Sequence, residues 1–199
     1  MSYVSHLQKD KKLAPIVGET VFTLKRRKNI PVRLMASIMS QQLSTKVAAV
    51  IYQRFLDLYG GKEPKAEAVL ATPDTTLRSI GLSNAKVQYV KNVAAFCLEH
   101  GITDSKLNKL EDAAVIELLT QIKGVGRWTV EMLLMFSLGR EDVFAVDDLG
   151  IQQAMIKCYK LQTEDSKQLK LQMQKIALKW SPYRTYACLH LWAWKDKAV

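Results

Sequence analysis

The stretch QIKGVGRWTVEMLLMFSLGREDVFAVDDLG, residues 121–150, decides how this chain is read. It sets in order a turn with glycine at both ends, an apolar segment of helical spacing, and two adjacent aspartates. Glycine tolerates positive φ and lets backbone approach closely. Gly124-Val125-Gly126 is therefore expected to turn the chain between helices over Asp112–Gln121 and Arg127–Leu138. A helix that follows such a turn presents backbone N–H groups at its start, where a phosphate can dock. Lys123 and Arg127 flank the turn with positive charge, so IKGVGRWT describes a clamp that grips phosphate without reading sequence. A GxG turn alone equally describes a helix C-cap, and an isolated DD describes a cap for the following LGIQQAM. What separates this pair is the apolar run Val143-Phe144-Ala145-Val146, which leads through a buried region and delivers a carboxylate at the core's edge. The expected division is Asp147 as cap or scaffold and Asp148 as the chemical group.

Outward from this stretch, apolar residues recur at helical spacing and no alternating strand of useful length exists, so the chain is expected to be all-α. Helices are expected over Val32–Met39, after an N-cap at Ser44, and over Pro64–Ala71. Thr72-Pro73-Asp74 is expected to open another, ended by Gly81, and Asn84–Glu99 to follow. Leu149–Cys158, Ser166–Trp180 and Tyr183–Lys195 complete the set. The helix after Ser44 carries the apolar stripe Val47, Val50, Ile51, Phe55 and Leu58. A two-lobed helical domain spanning 1–199, its chain ends packed together, is the natural reading.

The 199 residues carry a formal charge of +10, from 29 basic and 19 acidic residues, which favours an anionic partner, nucleic acid ahead of a membrane surface. Cys97, Cys158 and Cys188 are widely spaced without a CxxC, which argues against a zinc site and a disulfide framework and for buried thiols. MSYVSHLQKDKK has no secretion-signal pattern, and no apolar run nears the ~20 residues that span a bilayer. A cytoplasmic protein is expected, nucleoid-associated in a bacterium or nuclear in a eukaryote.

GVGRWTVEMLLMFSLGREDVFAVDDLGIQ closely resembles the helix-hairpin-helix (HhH-GPD) DNA glycosylases, in the branch of 3-methyladenine DNA glycosylase II, which excises alkylated adenine. MSQQLSTKVAAVIYQRF, GLSNAKVQYVKNVA and KWSPYRTYACLHLWAW resemble corresponding family segments in the same order, so the likeness covers roughly residues 31–195. It implies the two-lobed HhH-GPD fold, with the hairpin at about 112–138, and without the N-terminal sheet domain of longer members. It further implies a base-excision repair enzyme that flips a damaged nucleotide out of duplex DNA and hydrolyses the N-glycosidic bond of alkylated purines, 3-methyladenine first and 7-methylguanine next. The alternative is a damage-binding module of the same fold with weak catalysis.

By the same resemblance the second aspartate of VDD, Asp148, is catalytic and stabilises the oxocarbenium ion forming at C1′. An alkylated purine already carries positive charge and leaves without a general acid, and His6, His100 and His190 are scattered in a way that suits structural roles. Trp128 stands where strand-cleaving relatives have a Schiff-base lysine, so no abasic-site lyase activity is expected. Three wide-set cysteines exclude the iron–sulfur cluster of other relatives. Trp128 and Trp192 align with aromatic walls of the base pocket, suited to an electron-poor base, and Met132 softens that pocket. The loop SQQLS, residues 40–44, is expected to fill the hole left by the flipped base with Gln42, or else Gln41 or Leu43. Ser44 and Thr45 face the minor groove or cap the helix. Lys123, Gly124, Val125, Gly126, Arg127 and Thr129 complete the DNA-contacting set. Arg184 is either a phosphate contact or an ion-pair partner near the catalytic segment. No cofactor or metal site is implied beyond a monovalent cation on hairpin carbonyls. The expected partner is damaged double-stranded DNA, bound by a monomer.

Overall fold

A computed structural model describes residues 2–18, 20–162 and 165–197. Among these, regular structure is entirely helical, as expected. In chain order the helices are α1 (Tyr3–Leu7), α2 (Ile30–Ser40), α3 (Thr45–Asp57), α4 (Ala66–Ala71), α5 (Asp74–Ser79) and α6 (Asn84–Glu99). Then come α7 (Asp104–Lys109), α8 (Asp112–Leu119), α9 (Arg127–Phe136), α10 (Leu149–Tyr159), α11 (Ser166–Ala177) and α12 (Arg184–Lys197). The chain forms two compact units, one from Met1–Lys25 with Gly139–Val199 and the other from Arg26–Leu138.

The continuous unit is built around α2, which packs against α3, α6 and α9. Six of its residues, Ile30, Val32, Leu34, Met35, Ile38 and Met39, are buried, the signature of a helix inside a core. It begins earlier than periodicity alone suggests because a distant carboxylate caps it. The backbone N–H groups of Asn29 and Ile30 donate to Asp104 Oδ2 and Oδ1 at 2.7 and 2.8 Å, and an anion there complements the helix dipole.

The stripe expected on α3 is only half buried. Ile51 and Phe55 are inside, but Val47 and Val50 are each 45% exposed and Leu58 36%. The aromatic residues decide this rotation: Phe55 packs with Tyr52 and Tyr59 at ring separations of 6.5 and 5.3 Å, turning the inward face toward them. At the next junction, Thr72 closes α4, its hydroxyl donating to Ala68 O at 2.8 Å. The position before α5 is Pro73, so Thr72 does not cap α5 as expected.

In the other unit the two chain ends do pack together. Tyr3 stacks on Tyr186 at 4.0 Å. Asp10 accepts from Tyr159 Oη at 2.8 Å and from Trp180 Nε1 at 3.3 Å, and from the backbone N–H groups of Lys12 and Leu13. Burial pushes the Asp10 carboxyl up, but these bonds outweigh it and hold it below the usual carboxylate range. Trp180 is fully buried, and the chain passes from α11 through a short 3-10 turn, Leu178–Trp180, before α12. Cys97 and Cys188 are buried and Cys158 half-buried, all three unbridged; burial pushes the Cys97 and Cys158 thiols up to about 11.

Candidate active site

Within the continuous unit, α8 and α9 pack together on either side of the glycine turn. Ile122 and Val125 are buried and anchor the turn, so Val125 can offer a partner only its backbone, not its side chain. Gly124 has φ +101°, and a Cβ there would lie 2.2 Å from the Tyr89 ring. Both conformation and space therefore demand glycine. Lys123 and Gly126 are exposed, and the Lys123 carbonyl accepts from Asn92 Nδ2 at 3.1 Å. Gly126 occupies the N-cap of α9 with no side-chain cap, which leaves the positive end of the helix dipole uncovered by any side-chain oxygen at that position.

On α9, Trp128 is 38% exposed and Met132, one turn on, is half-buried. Thr129, expected to contact DNA, is instead buried, its hydroxyl accepting from Gln41 Nε2 at 3.2 Å. That bond separates the two glutamines. Gln41 is tied to α9, whereas Gln42 is exposed and holds φ 59°, the left-handed region that a branched or long side chain rarely adopts. Ser44 caps α3, accepting from Val47 N at 3.4 Å; Leu43 is half-buried and Thr45 exposed.

Two residues that sequence reasoning passed over hold these side chains in place. Lys86 donates to the carbonyls of Met39 and Gln41 at 2.9 and 2.7 Å, pinning the loop from α6, and burial lowers its ammonium below the ordinary lysine value. Glu131 is 1% exposed and accepts from Arg127 Nε at 2.9 Å, so Arg127 is already half committed within α9. A lone carboxylate on an otherwise apolar helix was the available signal for Glu131. For Lys86 no local signal exists.

In the discontinuous unit, Val143, Ala145 and Val146 are buried as expected and Phe144 half-buried. Thr185 on α12 fastens the start of this run, its hydroxyl accepting from Val143 N at 3.0 Å. Arg184 makes a two-pronged contact with Asp142, Nε to Oδ1 at 2.7 Å and Nη2 to Oδ2 at 2.9 Å. Of the two roles open to it, the ion pair is therefore realised. Burial pushes the Asp142 carboxyl up, but Arg184 and Ser181 outweigh this and hold it below the usual range.

The capping role open to Asp147 falls to Asp148 instead. Asp148, not Asp147, is the N-cap of α10, its Oδ1 accepting from Ile151 N at 2.9 Å. Asp147 points to the surface and pairs with Lys170 at 2.7 Å. The reason is register: only the residue immediately before the first helical turn can reach the N–H three positions on. The same Oδ1 accepts from Trp192 Nε1 at 2.8 Å, so Asp148 and Trp192, drawn from distant sequence, meet. His6 donates to Lys179 O at 3.1 Å and His190 is buried. Among the described residues no group of three or more His, Cys, Asp or Glu could hold a metal ion, and no helix is long and apolar enough to cross a membrane.

Residues 35–179 match the family model described as HhH-GPD superfamily base excision DNA repair protein. DNA-3-methyladenine glycosylase 1 of Schizosaccharomyces pombe is 35% identical over 185 residues, covering 92% of this chain and 80% of the relative. A DNA-3-methyladenine glycosylase of Saccharomyces cerevisiae is 34% identical over 179 residues, 82% of this chain and 60% of that one. The solved structure of the S. pombe 3-methyladenine DNA glycosylase in complex with abasic DNA superposes with a TM-score of 0.83 at 32% identity, covering 96% of this chain and 95% of the other.

Proposed function

The chain belongs to the HhH-GPD superfamily of base excision DNA repair proteins, and from that premise we propose that it is a monofunctional DNA glycosylase that releases alkylated purines, chiefly 3-methyladenine, from duplex DNA. The observation that carries this reading is Asp148, a carboxylate held at the end of a buried segment by a helix N-terminus and an indole N–H. As the flipped nucleotide loses its base, positive charge develops at C1′ and the ring oxygen. A fixed anion there lowers the barrier without rearranging at the moment of reaction. The purine leaves as a neutral base, so one carboxylate suffices, and water adds to C1′ and releases its proton to solvent.

Other parts follow the same chemistry. Trp128 offers a partly exposed indole face for a cationic base, an attraction of roughly 0.5–2 kcal/mol, and no amine for strand cleavage. Gln42, exposed on a strained loop tip, is the residue to enter the vacated stack, because Gln41 is already bonded to Thr129. Gly124, Gly126 and the start of α9 grip a backbone phosphate together with Lys123. A monovalent cation at the hairpin would rest on carbonyls alone; those of Ile122 and Lys123 each accept one hydrogen bond and retain a second lone pair. The protein acts as a monomer on damaged double-stranded DNA.

Base release from methylated duplex DNA, compared with Asp148→Asn, tests this. The wild type frees alkylpurine, and the variant loses at least about 100-fold in rate while still binding abasic DNA. A wild type that binds abasic DNA but frees no alkylpurine would sink the reading.

A further inference from the structure

We propose that Trp192 is a positioning residue that aims the Asp148 carboxylate, and that Gly150 lacks a side chain in order to make room for that contact. The inference rests on the glycosylase reading and assigns Trp192 a task different from walling the base pocket. Asp148 Oδ1 receives two N–H donors, Ile151 N at 2.9 Å and Trp192 Nε1 at 2.8 Å. The first is an ordinary helix cap that the local chain makes by itself. It leaves the carboxylate able to turn about its Cβ–Cγ bond. The second donor arrives from α12, 44 positions further on, and two donors from different elements fix that turn. An indole N–H donates and cannot accept, so in this contact the Asp148 oxygen is the acceptor. Phenylalanine at this position would stack against a base equally well and could not make this bond.

Gly150 supplies an independent observation. It sits in the first turn of α10, where alanine is ordinarily the better helix former. Its φ lies outside the left-handed region, so its backbone does not require glycine. Space does: a Cβ would stand 3.0 Å from Asp148 Oδ1 and 3.2 Å from both Cδ1 and Nε1 of Trp192. Any side chain at 150 presses on both partners of the hydrogen bond at once. The helix forgoes a better residue where the indole meets the carboxylate.

Single-turnover assays on methylated duplex DNA separate aiming from stacking. Trp192→Phe keeps an aromatic face and loses the N–H; a benzothienylalanine at 192 replaces only the N–H, by sulfur. Both should slow base release about 10- to 100-fold, the span expected for a hydrogen bond to a charged group. Affinity for abasic duplex should stay within about two-fold in each, because ground-state binding does not use the bond. Gly150→Ala, with Trp192 intact, should give the same split of rate from affinity. A benzothienylalanine variant or Gly150→Ala releasing base at the wild-type rate overturns the proposal, as does a Trp192→Phe variant that loses rate and affinity in equal measure. A wild type with no base release fails the glycosylase reading itself, which is a different result from any of these.

Discussion

Gln42 and Gly124 mark opposite uses of positive φ. At Gly124 the backbone angle and the Tyr89 ring leave no room for a side chain. Gly124→Ala should therefore cost at least about 2 kcal/mol, combining left-handed strain with overpacking, read as a fall in the urea midpoint. Gln42 holds a comparable angle without being glycine, and such strain collects at functional positions. Gln42→Gly should leave stability unchanged or raise it by up to about 1 kcal/mol, since relief of the left-handed penalty offsets the flexibility of glycine. The same variant should slow base release by about ten-fold or more through loss of the side chain proposed to fill the stack. A Gln42→Gly protein with full activity and lowered stability would contradict both halves. Which glutamine projects was not legible locally, because QQ presents two chemically identical candidates. The bond from Gln41 to Thr129, 88 positions away, and the left-handed φ of Gln42 distinguish them.

Helix α12 shows how an element couples acid–base behaviour to stability. His190 is buried beside Phe22, at a ring separation of 4.8 Å, and Tyr3, at 5.9 Å. Burial holds its imidazole below the ordinary histidine value. Between that lowered value and about 6.5, the unfolded chain binds a proton that the folded chain does not. This contribution is thus fully present above about pH 6.5 and is lost as pH falls below it. Thermal melts from pH 7.5 to 5.5 should show His190→Leu losing less stability over the range than the wild type; parallel slopes would refute this. Element boundaries followed closely from capping and periodicity, as in α6, where Ser83 caps and Val87, Val90, Val93, Ala94 and Cys97 are buried. Asp104 extends α2 toward its start, the short helices α1 and α7 were not expected, and aromatic packing turns the inward face of α3 away from its valines.

At the scale of the whole molecule, the +10 charge acts through counterion release. Affinity for abasic duplex should fall linearly with salt on logarithmic axes, and Lys123→Ala should make that slope shallower by about one. A salt-independent affinity would remove the phosphate clamp from the account. With tryptophan at 128, borohydride should trap no covalent complex with DNA under conditions that trap a lyase; a trapped complex would require another amine on this chain.

Helical class, the order of hairpin and carboxylates, and the chemical kinds of residue available were determined by the sequence itself. Periodicity, glycine turns and caps are set by neighbours within a turn or two. Only the tertiary structure decided that Asp148 caps α10 while Asp147 faces Lys170, that Arg184 closes on Asp142, and that Trp192 donates to the carboxylate. Those outcomes depend on which groups from distant segments converge on one oxygen. A hydrogen bond between residues 44 apart leaves no periodic trace in the chain that makes it.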